Sequence, residues 1–220
     1  MRKYLILLAC TAILGQEAQA QEYLGNQTLK GETLHEVNIM GSANLTDIKA
    51  DTLSVLGTLE FHNLAVTKET NIAGPIKKSE KGKFGSLNIV GEFEAADVTC
   101  TKLDAAGSVS VAGLTVSGDA NIAGSLTLKA SKDPNKTSNN LKNLTIAAAE
   151  ISLEDTIVEG NILVKKTSEW VGGDKKQVLK LLGKTTVKGT ISFEAGNGTL
   201  EQSGDVKIEG KVTGATVEKK

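Results

Sequence analysis

Arginine is all but missing: among 220 residues only Arg2 carries a guanidinium, and lysine is otherwise the sole strong cation. Planar, bidentate capture of carboxylates or phosphates is therefore excluded over the rest of the chain. The formal net charge is −1 and the lysines are dispersed rather than gathered in a stripe, which excludes a nucleic-acid interface. Aromatic residues make up 3%, so any core must be filled by Val, Ile, Leu and Ala in thin layers. The only cysteines are Cys10 and Cys100, too few for a disulfide framework. Two histidines, His35 and His62, lack the spacing of a metal-ligating pair. After the first twenty residues, no segment approaches the roughly 18 consecutive apolar residues of a membrane span.

Glycine, by contrast, is abundant and regular. Gly41, Gly57, Gly74, Gly91, Gly107 and Gly124 follow one another at intervals of 16 or 17 residues. Each sits at the centre of the pattern apolar-x-apolar-x-Gly-x-apolar-x-apolar, as in LSVLGTLEF from Leu53 and LNIVGEFEA from Leu87. Alternation with period two is a strand signature, so each copy reads as two short strands meeting at a corner. A third apolar pair recurs between copies: Ile48/Ala50, Leu64/Val66, Val98/Cys100 and Leu114/Val116. Three inward-facing segments per period of about 17 residues predict an all-β fold, a three-sided parallel β-helix in which each coil packs on its neighbours. The pattern returns around Gly160, Gly189 and Gly210, so these three are read as corners too. The Cys100 side chain points inward and is expected to be a buried, inert thiol.

Arg2 and Lys3, the apolar run 4–14 and Ala18-Gln19-Ala20 have the order of a secretory signal peptide over residues 1–20. Leu7-Leu8-Ala9-Cys10 is a competing lipoprotein-type box, but a lipid anchor at Cys10 would leave an apolar core shorter than the usual ~7–15 residues. The reading is export to the periplasm or the cell surface, with residues 21–220 as one domain. Three polar stretches, 77–83 (KKSEKGK), 131–140 (SKDPNKTSNN) and 165–176 (KKTSEWVGGDKK), are expected to leave the coils as loops. In the first, Lys81 and Lys83 fall where the third apolar pair should be. In the third, Trp170 with Gly172 and Gly173 is a candidate partner-binding element; the indole is either a recognition anchor or a cover for the flank of the helix.

The residues three before the corner glycines, Asn38, Ser54, Asn71, Asn88, Asp104 and Asn121, should stack as an outward ladder of small hydrogen-bonding groups. Catalytic signals are missing: no G-x-S-x-G occurs, and acids such as Asp47, Asp51, Glu92, Glu94 and Asp97 stand singly on outward positions. The expectation is a protein that is not an enzyme and needs no metal or cofactor.

The stretch 87–130, LNIVGEFEAADVTCTKLDAAGSVSVAGLTVSGDANIAGSLTLKA, resembles the bactofilins, polymer-forming proteins whose triangular β-helix has coils of similar length. The resemblance implies a scaffold that assembles end to end; the apparent signal peptide and the polar stretches depart from that family's pattern. The function expected is an exported, non-catalytic structural or scaffold protein of the bacterial envelope. An adhesin or ligand-binding module with a surface glycan or protein partner, and a carbohydrate-active enzyme, are the alternatives.

Overall fold

A computed structural model describes residues 20–133, 138–167 and 176–220. Every strand pairing is parallel, and together the strands form a β-solenoid of about 11 turns with roughly 17 residues per coil. The stagger between stacked coils is the spacing of the glycines, as in Val37 on Leu53, Leu53 on Thr70 and Thr70 on Leu87. Each coil has three sides. In the second coil Val37 and Ile39 line one side, Ala43 and Leu45 the next, Ile48 and Ala50 the third, all buried. Alternate side chains point out, so sequence period two becomes a dry aliphatic column inside and a polar surface outside.

The first corner is the glycine row. From Gly41 to Gly124 the six glycines have φ between 138° and 142°. A Cβ on any of them would collide with the carbonyl oxygen of the glycine one coil before. Glycine is thus required twice, by its backbone angle and by the close stacking of coils. The row begins one coil earlier than the sequence pattern, at Gly25, whose N–H donates to Met40 O at 2.9 Å.

The second corner is left-handed and is built largely without glycine. Asp47, Asn63, Lys81, Asp97 and Asp155 have φ of 45–59°, and Gly31, Gly113 and Gly183 have φ of 62–76° in the same row. Asp and Asn tolerate this region best among residues with a Cβ.

Gly160, Gly189 and Gly210 are corners, but not of the glycine row. Gly189 stacks on Gly160 and Gly210 on Gly189, and Gly160 lies against Lys142 and Asn143 at the third corner, just before the first side begins. None has a left-handed φ. The pattern in TIVEGNILV therefore straddles a different vertex from the pattern in LSVLGTLEF, because any two adjacent sides joined at a tight bend produce it.

The loop expected at 77–83 is instead part of the strand Ile76–Lys129. A register shift between Leu59 and His62 absorbs one extra residue. Lys78 and Lys81 turn outward at φ of 50° and 59°, so the inward pair is Gly82 and Phe84 rather than Lys81 and Lys83. Glycine at 82 leaves space for two rings: Phe61 and Phe84 meet edge to face at 5.7 Å. Ser79, also buried, accepts the N–H of Phe61 at 3.0 Å and donates to Lys77 O at 2.9 Å.

Of the stretch 131–140, residues 134–137 lie outside the described residues; the strand Ile76–Lys129 ends before it, and its last two residues already belong to the strand Asn139–Ala147, with Asn139 wholly buried. Of the third stretch, residues 168–175 lie outside the described residues; on either side of them stand the strands Ile162–Val164 and Val178–Leu182. Buried Gln177 donates its side-chain amide to Ala148 O at 2.9 Å and Lys165 O at 2.7 Å.

Candidate functional site

Two surfaces of the solenoid depart from a uniformly polar exterior. The first is the outer side of the strands that run into the glycine corner. Along it two steps of the expected ladder are hydrogen-bonded: Asn88 Nδ2 donates to Asn71 Oδ1 and Asn121 Nδ2 to Asp104 Oδ1, both at 2.8 Å, while Asn38 donates to Glu36. In the next outward column, directly before the glycines, the side chains are apolar. Leu24, Met40, Leu56, Ala73 and Val90 stack in register, and Ala106, Ala123 and Ala147 continue the column. Leu24 is 75% exposed, Met40 and Leu56 57% and Val90 64%. Where the column narrows to alanine, a shallow groove of about 480 Å³ opens between Val90, Ala106, Ala123, Ala147 and Lys165, walled by the ladder.

The second surface is the C-terminal end. Lys207–Ile208, Val212–Thr213 and Ala215–Lys219 each pair on one side only. Val206, Ile208, Val212 and Ala215 extend the core but remain partly exposed, and Val217 is 45% exposed. Val206, Ile208, Val212 and Val217 line a concavity of about 580 Å³. Among the described residues the N-terminal strands Gln21–Leu24 and Gln27–Lys30 likewise pair on one side only; there Tyr23 Oη donates to Gln21 Oε1 at 3.0 Å and Gln27 Nε2 to Leu24 O at 2.8 Å.

Ionisable groups are engaged in ties between coils. Lys77 pairs with Glu92 at 3.1 Å, Lys188 with Glu159 at 2.7 Å, Lys220 with Glu201 at 2.8 Å, and Lys180 with Glu150. The hydrogen bond from Lys220 holds the Glu201 carboxyl below its usual range. His35 is the main partner that lowers Asp51, with Thr67 and Lys68 donating to the same carboxylate. His62 Nδ1 lies 2.7 Å from Glu80. Burial pushes the Cys100 thiol up to about 12, so it stays protonated at neutral pH and is a poor nucleophile. Among the described residues, no group of three or more His, Cys, Asp or Glu is placed to hold a metal ion.

Trp170, Gly172 and Gly173 lie outside the described residues. The corner glycines serve the fold: they set the bend that brings the outward columns into line. The apolar outward column escaped the sequence reading although its signal was present. The residue before each glycine of the row from Gly41 to Gly124 is Met40, Leu56, Ala73, Val90, Ala106 or Ala123, never charged, whereas Glu159, Lys188 and Glu209 precede the glycines of the other vertex. No family model, curated protein or solved structure matches the chain. No helix among the described residues is long and apolar enough to cross a membrane.

Proposed function

We propose that this chain is an exported, non-catalytic structural rod of the bacterial envelope that self-associates end to end. The observation carrying the proposal is that, among the described residues, the strands at both ends of the solenoid pair on one side only, Gln21–Leu24 and Gln27–Lys30 at one end and Lys207–Ile208, Val212–Thr213 and Ala215–Lys219 at the other, where the aliphatic core reaches the surface at Ile208, Val212 and Val217. Unpaired edges template pairing with another chain. Two features support assembly at this end over protection of it. The end strands present apolar groups inside the ring, and one of the two terminal lysines, Lys220, is already neutralised by Glu201. A scaffold role is further supported by the lysine pairs of Glu92, Glu159 and Glu201, each of which bridges two coils. Export rests on the charge, apolar core and Ala18-Gln19-Ala20 order of residues 1–20.

Negative-stain electron microscopy of the chain over a concentration series tests the assembly. Rods roughly 50 Å long, from about 11 turns at ~4.8 Å each, are expected to join into longer particles. Val217→Lys, at an exposed position, is expected to shorten them without altering the circular dichroism spectrum. Single rods at every concentration would overturn the reading.

A further inference from the structure

The apolar column beside the glycine corner is bulky in one half and small in the other. Leu24, Met40 and Leu56 stand out from the first three coils, whereas Ala106, Ala123 and Ala147 floor the groove of the sixth to eighth. Numbering the coils from Leu24, the column reads Leu24, Met40, Leu56, Ala73, Val90, Ala106, Ala123, Ala147, Lys165. A two-fold axis lying across the rod at Val90 reverses this order while keeping each column over its own counterpart. Met40 then meets Ala147, Leu56 meets Ala123, Ala73 meets Ala106, Val90 meets itself, and at the rim Leu24 lies along the Lys165 side chain. The bulky half of each rod fills the groove of the other, and the fit occurs twice, as an isologous contact requires.

The flanking columns agree. In the ladder, Asn38 is brought opposite Thr145, Ser54 opposite Asn121 and Asn71 opposite Asp104, all short groups able to exchange hydrogen bonds. One column further out, Glu69, which accepts from Asn88 at 3.1 Å, faces Lys102, which pairs with Asp104 at 2.5 Å; both are exposed, so the new pair extends these contacts across the interface and is formed twice. A partner that matches this surface must repeat every ~4.8 Å and be bulky where the groove is, which is what a second copy offers. We propose that two copies of this chain pair side by side in antiparallel orientation through the face bearing the amide ladder and the apolar column, centred on Val90. The last two coils project beyond the overlap at each end, so this contact is independent of end-to-end association and leaves the C-terminal coil free.

The test is disulfide trapping in the full chain carrying Cys10→Ser, with Cys100 buried and unreactive. Val90→Cys lies on the axis, and mild oxidation is expected to convert most of it to a covalent dimer. Met40→Cys alone should not cross-link, because its own counterpart is six coils away, about 29 Å. An equimolar mixture of Met40→Cys and Ala147→Cys should. Glu69→Lys and Lys102→Glu are each expected to weaken the pair about threefold to tenfold in sedimentation equilibrium, with affinity restored in the double variant. The proposal is overturned by a monomer at all concentrations, by self-cross-linking of Met40→Cys as strong as that of Val90→Cys, or by no rescue in the double variant. Filament loss with Val217→Lys alongside intact Val90→Cys cross-linking separates the two modes of association.

Discussion

Thr70 is one of the polar residues of the interior. Its stacked neighbours are Leu53 and Leu87, it is fully buried, and its Oγ1 finds no hydrogen-bond partner. A buried, unsatisfied hydroxyl costs about 1–3 kcal/mol. Valine has the same shape with a methyl in place of the hydroxyl. Thr70→Val is therefore expected to raise stability by ~1 kcal/mol or more, read as a higher urea midpoint at unchanged slope; a lower midpoint would mean the hydroxyl is satisfied after all. Cys100 offers a second residue-scale test. Its folded pKa is raised to about 12 from 9.0, so the stability contributed by the neutral thiol is complete below pH 9 and lost between there and 12. At pH 8 the thiol is expected to resist a thiol-specific reagent until the protein is unfolded.

At the scale of the element, the coil closure after 131–138 depends on one side chain. Asn139 Oδ1 accepts the N–H of Leu114 at 2.7 Å, while its Nδ2 donates to Lys129 O at 3.0 Å and Glu154 O at 2.9 Å. Three coil levels are joined by a single amide with no solvent access. Beneath it the polar rung continues through Thr156 and Thr185, both buried, with Thr156 N–H donating to Thr185 Oγ1 at 3.2 Å. Asn139→Ala removes the amide and strands Leu114 N–H and Lys129 O, Glu154 O keeping the Thr156 hydroxyl at 2.9 Å, and is expected to destabilise the protein by about 3 kcal/mol. Thermal unfolding checks it, and a loss under 1 kcal/mol would show that water replaces the amide. The strand at 77–83 makes a related point. A run of four lysines among seven residues reads as a loop, yet two left-handed residues turn the lysines out and keep Gly82 and Phe84 in line.

For the whole molecule, nearest-neighbour stacking makes length, not thickness, the natural dimension of growth by the ends, and thickness the dimension of growth by the sides. Small-angle X-ray scattering is expected to separate them. The lateral pair doubles the cross-sectional mass while adding only the overhanging coils to the length, whereas end-to-end contact lengthens the particle at constant cross-section. Scattering that stays that of one rod from dilute to concentrated solution would remove both.

The sequence alone determined the coil length, the three inward segments and the glycine corner. All three follow from local rules: alternation decides which side chains are buried, and a glycine that must stack on the glycine below leaves the same trace in every period. The second corner was legible in principle, since Gly31, Asp47, Asn63, Asp97 and Gly113 each fall six residues after a row glycine. It looked like scattered surface charge because φ is not written in side-chain polarity. Only the tertiary structure decided that Gly160, Gly189 and Gly210 occupy another vertex, that the lysine-rich run stays in the wall, and that Asn139 belongs inside. Each depends on register between coils some 17 to 30 residues apart in the chain. So does the exposed apolar column, whose members become neighbours only when the coils stack.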